Sequence, residues 1–127
     1  MERKCTIAQM ASIAGLSVHT LRYYERIGLV QPVQRNSSGY REYAESDIAW
    51  LEFLTRLRLT GMSIRDMKRY AVLRNQGPAT VIERRQLLEA HRREIECRME
   101  SLKHNLAVIT YKIDLYKKTE EEQNERG

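Results

Sequence analysis

The chain has 127 residues, of which 42% are hydrophobic and two are proline, a composition that excludes an intrinsically disordered protein. It contains no apolar run near the roughly 20 residues that span a bilayer, and no secretory signal, so we expect no membrane partner and a cytoplasmic location. The whole net charge of +5 lies in residues 1–75, because residues 76–127 carry equal numbers of basic and acidic side chains. This distribution predicts a polyanion-binding module followed by a neutral extension.

The beginning of the chain has the pattern of two short helices. Thr6 and Gln9 have the spacing of a capping box, which predicts a helix that stops at Gly15. Ser17 then predicts the N-cap of a second helix with the sequence VHTLRYYERI. A short turn with glycine between two short helices is typical of a helix-turn-helix.

One face of the second helix carries basic and hydrogen-bonding side chains at positions i, i+3, i+4 and i+7, namely His19, Arg22, Tyr23 and Arg26. Such donors can reach phosphates and guanine edges in a major groove of DNA. The alternative is an ordinary solvated helix face, which the neighbouring turn and a basic hairpin make less favourable.

Turn residues after the second helix predict a small hairpin between segments 33–35 and 40–43. Its candidate DNA contacts are Arg35, Gly39, Tyr40, Arg41 and Tyr43. A glycine at the tip allows the backbone to approach a sugar-phosphate chain closely. The alternative is an ordinary turn with core tyrosines, and we expect at least one of Tyr40 and Tyr43 to be buried.

Two further helices are predicted before a break in the pattern. Ser46 is the expected N-cap of the third helix, and Ser63 is the expected N-cap of the fourth. The sequence Gln-Gly-Pro then ends the fourth helix. We therefore predict a DNA-binding domain over residues 1–75 and a hinge over residues 76–80.

The longest predicted element begins at a capping box formed by Thr80 and Glu83. Apolar side chains then repeat at heptad positions a and d for about five heptads, which is the pattern of a coiled coil. The seam consists of Leu88, Ile95, Met99, Leu102, Leu106, Ile109, Ile113 and Tyr116. One helix cannot bury this seam alone, so we predict a homodimer through residues 81–118, with a disordered tail over residues 119–127. The charged pairs slightly favour antiparallel helices.

The motifs TLRYYERIGLVQP, R-x3-GYREY, DI-x2-L and LRLTGMSI together resemble those of the MerR family of transcription regulators. The resemblance implies a mainly α fold, with an N-terminal winged helix-turn-helix followed by a long dimerisation helix in an antiparallel coiled coil. It also implies a homodimeric, nucleoid-associated regulator that binds a palindromic promoter site in double-stranded DNA. Such a protein bends and untwists the promoter, and it acts on RNA polymerase through that change.

The resemblance also assigns DNA contacts residue by residue. In the second helix these are Thr20, Arg22, Tyr23 and Tyr24, and in the wing they are Arg35, Gly39, Tyr40 and Arg41. At the start of the fourth helix, Ser63 and Ile64 would present backbone N–H groups to a phosphate. Ser17, the cap of the second helix, completes the predicted DNA-binding set.

The sequence does not indicate the signal to which such a regulator would respond. Metal-sensing relatives keep cysteines near the end of the coil, whereas here the last cysteine is Cys97, so no metal and no other cofactor is expected. Thr55 stands where some short relatives carry a sensing thiol. We expect Cys5 and Cys97 to be structural thiols and the chain to be a short form without a separate effector domain.

Two other classes of function remain open from the residues alone. An architectural or recombination-accessory protein would bend DNA without controlling a promoter, and a coiled-coil adaptor would use its basic module on an acidic protein. Salt-dependent binding to duplex DNA separates the adaptor from the other two. An enzyme is the least favoured class, because we find no nucleophile–base pair, phosphate loop or paired carboxylates in the sequence.

Overall fold

The computed structural model describes residues 4–31, 37–39 and 43–127. The chain forms two compact units, Met1–Leu87 and Leu88–Gly127, which we call the N-terminal unit and the C-terminal unit. In the described residues the elements are, in chain order, β1 (Lys4–Cys5), α1 (Ile7–Ala14), α2 (Val18–Arg26), β2 (Tyr43–Ala44), α3 (Glu45–Leu59), α4 (Ile64–Asn75), a 3-10 helix (Pro78–Thr80) and α5 (Val81–Arg126).

The predicted caps of α1 and α2 are confirmed. Thr6 Oγ1 accepts from the Gln9 N–H at 3.2 Å, and Gln9 Oε1 accepts from the Thr6 N–H at 2.9 Å, so two donors at the helix end are satisfied reciprocally. Gly15 ends α1 with φ of 72°, a conformation that glycine adopts without steric cost. Ser17 Oγ accepts from the Thr20 N–H at 3.0 Å and begins α2.

The Thr6 cap gives a direct test of what holds the helix-turn-helix together. We expect Thr6→Ala to lower the free energy of unfolding by about 1 kcal/mol, because the Gln9 N–H loses its acceptor. Chemical denaturation monitored by circular dichroism measures this change. Ser12→Ala, which removes an exposed hydroxyl from the last turn of α1, is the control and should change stability by less than about 0.5 kcal/mol. Equal effects of the two substitutions would contradict the capping role.

A two-stranded antiparallel sheet connects the start of the chain to the segment that precedes α3. Lys4 pairs with Ala44, and Cys5 pairs with Tyr43. The sequence pattern did not predict β1, because a strand of two residues is too short to show alternation. Most of the predicted hairpin, residues 33–35 and 40–42, lies outside the described residues.

The N-cap of α3 differs from the prediction. Ala44 occupies the cap position, and the Asp47 carboxylate accepts from the Ala44 N–H at 2.9 Å, so the prediction of Ser46 as the cap is wrong. A carboxylate in the first turn satisfies a donor and interacts favourably with the positive end of the helix dipole. The cap of α4 is as predicted, since Ser63 Oγ accepts from the Asp66 N–H at 3.1 Å.

The core of the N-terminal unit forms where α1 packs on α2 and α3, and where α3 also packs on α4 and β2. The largest fully buried side chains are Tyr43, Met10, Leu21, Leu29, Leu51, Leu54 and Met67. Trp50 on α3 donates its indole N–H to the Leu29 carbonyl at 2.9 Å. Its ring stacks on Tyr70 of α4 at 5.7 Å between centroids, and the Arg74 guanidinium lies 4.2 Å from the Trp50 centroid. This cluster fixes the chain after α2 against α3 and α4.

The segment after α4 also departs from the expected local structure. The predicted hinge, residues 76–80, contains the 3-10 helix. The Thr80 hydroxyl, which was predicted to cap α5, instead donates to the Leu73 carbonyl and accepts from Arg84. The link between α4 and α5 is therefore closed by its own hydrogen bonds.

The last helix, α5, is longer than the heptad pattern predicted. It continues to Arg126, so the prediction of a disordered tail over residues 119–127 is wrong. Residues 117–126 contain no Pro or Gly, are rich in good helix formers, and place lysines four residues before glutamates. Within the described ranges, no helix combines the length and the apolarity that crossing a membrane requires.

Candidate nucleic-acid interface

The α2 helix presents one polar face outward because its opposite face is buried. Leu21 and Tyr24 are its buried residues. The four side chains predicted to share the outer face are all exposed, and these are His19, Arg22, Tyr23 and Arg26. The structure thus brings together the basic and hydrogen-bonding groups that the sequence spacing predicted.

Two of these side chains also contact each other. The Arg26 guanidinium lies 5.5 Å from the centre of the Tyr23 ring, a cation–π distance. The Tyr23 and Tyr24 rings lie 6.2 Å apart at an interplanar angle of 45°. Tyr23, at 36% exposure, is therefore held between a buried ring and a guanidinium, which limits the freedom of its phenol. A side chain ordered in this way loses less entropy when it binds a ligand.

At the beginning of α2, the hydroxyls of Ser17 and Thr20 hydrogen-bond to each other at 2.9 Å. Ser17 also caps the helix and so fixes the N-terminal turn of α2. Thr20 is half-buried beside the exposed face, whereas Ser17 is exposed. Both predicted residues lie at the end of the helix that carries the positive dipole.

Tyr24 is a correction to the predicted DNA contacts. Its side chain is only 3% exposed, and its backbone carbonyl accepts from the Leu29 and Val30 N–H groups. Burial raises the pKa of the Tyr24 hydroxyl above its usual value, and the nearby charge of Arg58 partly offsets that rise. Tyr24 is therefore a core residue, and its carbonyl holds the chain that follows α2.

Tyr43 is the second correction to the predicted DNA contacts, and its burial confirms the expectation that at least one of Tyr40 and Tyr43 lies in the core. Its side chain is fully buried, and its hydroxyl donates to the Glu25 carboxylate on α2. The sequence analysis did not assign a role to Glu25. Its helical position, away from the exposed face of α2, was the one sign that its carboxylate could contact another part of the chain. The Glu25–Tyr43 hydrogen bond connects α2 to β2, and so it positions the two elements that border the predicted wing.

Most of the predicted wing contacts cannot be placed, since Arg35, Tyr40 and Arg41 lie outside the described residues. Gly39 is described, is exposed and has φ of 83°. A Cβ atom at Gly39 would meet nothing within 4 Å. Replacing this glycine would therefore cost free energy because of its positive φ, and not because of crowding by neighbouring atoms.

The start of α4 offers backbone donors of a different kind. Ser63 is exposed and Ile64 is half-buried. The Ser63 side chain accepts from the Asp66 N–H at 3.1 Å. The first N–H groups of a helix have no acceptor within the helix, so a turn of this kind can bind an anion.

The described thiols lie in different environments and belong to no cluster of possible metal ligands. Cys5 is buried with its Sγ 3.8 Å from the Tyr43 carbonyl oxygen, whereas Cys97 is exposed on α5. Across residues 4–31, 37–39 and 43–127, His, Cys, Asp and Glu side chains form no group of three or more that could hold a metal ion.

The C-terminal unit carries an exposed apolar stripe on α5. The predicted seam residues that are between 48% and 68% exposed are Met99, Leu102, Leu106, Ile109, Ile113 and Tyr116. Leu88 and Ile95, the first two members of the seam, are half-buried. So much exposed apolar surface along one side of a helix is typical of a surface that another chain covers.

Comparison with known proteins gives matches over both units. A family profile described as MerR HTH family regulatory protein matches residues 5–72, and a second, described as MerR, DNA binding, matches residues 48–110. A Haemophilus influenzae protein, described as an uncharacterized HTH-type transcriptional regulator, is 37% identical over 113 residues, which are 89% of this chain and 84% of that relative. The HTH-type transcriptional regulator AdhR of Bacillus subtilis is 45% identical over 89 residues, which are 70% of this chain and 64% of AdhR.

A solved structure agrees with these sequence matches. It is a crystal structure of HiNmlR, described as a MerR family regulator lacking the sensor domain, bound to promoter DNA. Its TM-score to this chain is 0.83 at 36% sequence identity, over 91% of this chain and 87% of that chain.

Proposed function

Because this chain belongs to the MerR family of helix-turn-helix transcriptional regulators, we propose that it binds a palindromic promoter site as a homodimer and regulates transcription there. The observation that carries the proposal is the outward face of α2, whose opposite face is buried. The exposed side chains on the outward face are His19, Arg22, Tyr23 and Arg26. A helix with this distribution of donors fits a major groove. The relative HiNmlR, which was crystallised on promoter DNA, supports the same use of the fold.

Dimerisation is supported by the apolar stripe of α5. The seam residues between Met99 and Tyr116 are mostly exposed in one chain, and burying them against a second copy removes that surface from water. Antiparallel helices would place one N-terminal unit at each end of the coil. Two copies of the α2 face would then read two half-sites of a palindrome.

We further propose that the bound dimer bends and untwists the promoter, and that RNA polymerase responds to the altered DNA. Deforming a duplex costs several kcal/mol, on the order of 1–6 by elastic estimates. Backbone contacts to phosphates from the wing and from the α4 N-terminus, at Ser63 and Ile64, would offset that cost.

Salt dependence tests the DNA-binding part of the proposal. We expect affinity for a palindromic duplex to fall by at least about 1,000-fold between about 50 and 200 mM salt, because each phosphate contact releases counterions. Fluorescence anisotropy with a labelled duplex measures the slope. A scrambled duplex of the same composition is the control and should bind more weakly at every salt concentration. Binding that ignored salt would favour an adaptor that docks on protein.

Transcription in vitro distinguishes a regulator from an architectural protein. The template is a promoter in which the segment between the two promoter elements contains a palindrome that the protein binds. The control is the same promoter with that segment shortened by two base pairs. If the protein untwists DNA, its addition should change the transcript yield of the longer template in one direction and that of the shortened template in the other. DNA bending with equal transcript yields from both templates would favour the architectural alternative.

A further inference from the structure

The connection between α4 and α5 is closed by side-chain hydrogen bonds, and we call residues 73–84 the elbow. Thr80 is 6% exposed, and its hydroxyl donates to the Leu73 carbonyl and also lies 3.0 Å from the Gly77 carbonyl. Arg84, on the first turn of α5, donates from Nε to Thr80 Oγ1 and from Nη2 to the Gly77 carbonyl, each at 3.1 Å. One buried hydroxyl thus joins the last turn of α4, the 3-10 helix and the first turn of α5.

The backbone of the elbow is equally restricted. Gly77 has φ of 88° and ψ of −158°, a region that is essentially open to glycine alone. Pro78 follows with its φ fixed by the pyrrolidine ring. The Thr80 N–H donates to the Gly77 carbonyl at 3.1 Å, which closes the turn. With guanidinium hydrogen bonds added, which are stronger than neutral ones, the elbow resists bending at this point of the chain.

We propose that the Thr80–Arg84 contact fixes the direction in which α5 leaves α4, and thereby determines the half-site spacing that the dimer accepts on DNA. This inference rests on the proposed function. The helix rises about 22 Å between Arg84 and Met99, so a tilt of about 10° at the elbow displaces the exposed seam by about 4 Å. One base pair rises about 3.4 Å along the duplex, so a small change at the elbow is comparable to a one-base-pair change in spacing.

The test compares substitutions in the elbow by their preference among spacers. Thr80→Val keeps the shape and removes the hydroxyl, whereas Thr80→Ser keeps the hydroxyl. Arg84→Met keeps the length of the side chain and removes the donors. Arg93→Met, at an exposed arginine of α5 in the C-terminal unit, is the matched control for loss of charge. The probe is a palindrome that the wild-type protein selects from random-sequence duplexes, rebuilt with spacers from two base pairs shorter to two longer.

The measured quantity is the ratio of affinities for the best and the next-best spacer. We expect Thr80→Val and Arg84→Met each to reduce this ratio by at least about fivefold, the factor that one ordinary net hydrogen bond contributes, because each substitution removes two hydrogen bonds of the elbow. Thr80→Ser and Arg93→Met should keep the wild-type ratio. A purely structural role of the elbow would weaken binding to all spacers equally and leave the ratio unchanged.

Three outcomes overturn parts of this account separately. If Thr80→Val and Arg84→Met remain folded dimers with the wild-type ratio, the inference is wrong. If Thr80→Val shows no folded state in a thermal melt, the spacer preference of Arg84→Met alone tests the inference. The Arg84 side chain is only half-buried, so its loss should not prevent folding. If the wild-type protein binds inverted repeats but accepts all spacers equally, the inference fails while the proposed function stands. If it binds no inverted repeat, the proposed function fails first.

Discussion

Leu102→Asp should convert the protein to single chains and remove its high-affinity binding to a palindrome. Leu102 is 68% exposed in one chain and lies in the middle of the proposed seam. In a dimer the substitution would remove a buried leucine from each copy and place a carboxylate in the apolar interface, so dimerisation should weaken by more than about 100-fold. DNA binding falls with it, because two linked units gain affinity from effective concentration. Sedimentation equilibrium and a DNA titration measure the two effects.

Val108→Asp is the matched control for that substitution. Val108 is also an exposed apolar residue of α5, at 57%, but it stands at heptad position c, away from the seam. We expect this variant to sediment as a dimer and to bind DNA as the wild-type protein does. Two chains in the Leu102→Asp sample at low micromolar concentration would exclude the proposed seam.

Arg22→Ala should weaken binding to the selected palindrome by about 10- to 100-fold, the range expected for loss of one good arginine contact to a base. The side chain is exposed, so thermal stability should stay within about 0.5 kcal/mol of the wild-type protein. A titration against single-base variants identifies the kind of contact. Relaxed preference at one base pair indicates a base contact, whereas a uniform loss with a salt slope smaller by about one indicates a phosphate contact.

The control for Arg22 is Arg126→Ala, which removes the same charge from the end of α5 in the C-terminal unit. It should lower affinity much less than Arg22→Ala does, because it removes a charge without removing a donor from the exposed face of α2. If Arg22→Ala and Arg126→Ala bind the palindrome equally well, Arg22 has no specific role.

Local features of the fold could be predicted from the sequence because local rules determine them. The capping box at Thr6 and the glycine at Gly15 fix the ends of α1 through hydrogen bonds within a few residues. The outward face of α2 follows from helical periodicity, which places Arg22 and Arg26 on one side and Leu21 on the other. The apolar stripe of α5 follows from the heptad repeat in the same way.

Features that depend on distant residues could not be predicted. The family resemblance assigned DNA contacts to both Tyr23 and Tyr24, whereas the structure shows that Tyr24 is buried and Tyr23 is exposed. The burial of Tyr40 or Tyr43 was expected, but no local pattern showed that the Tyr43 hydroxyl donates to Glu25, which lies 18 residues earlier in the chain. The β1 strand exists only through its pairing with Tyr43 and Ala44. Each of these contacts brings together groups that no local pattern connects.

The Trp50 cluster has a practical consequence for the study of this protein in solution. Trp50 is the single tryptophan of the chain, and its indole N–H is bonded to Leu29, which follows the end of α2. The Arg74 guanidinium lies 4.2 Å from the centre of the ring. Intrinsic tryptophan fluorescence of the unlabelled protein therefore originates from one indole packed behind the helix-turn-helix, and its emission is a built-in optical reporter of that region.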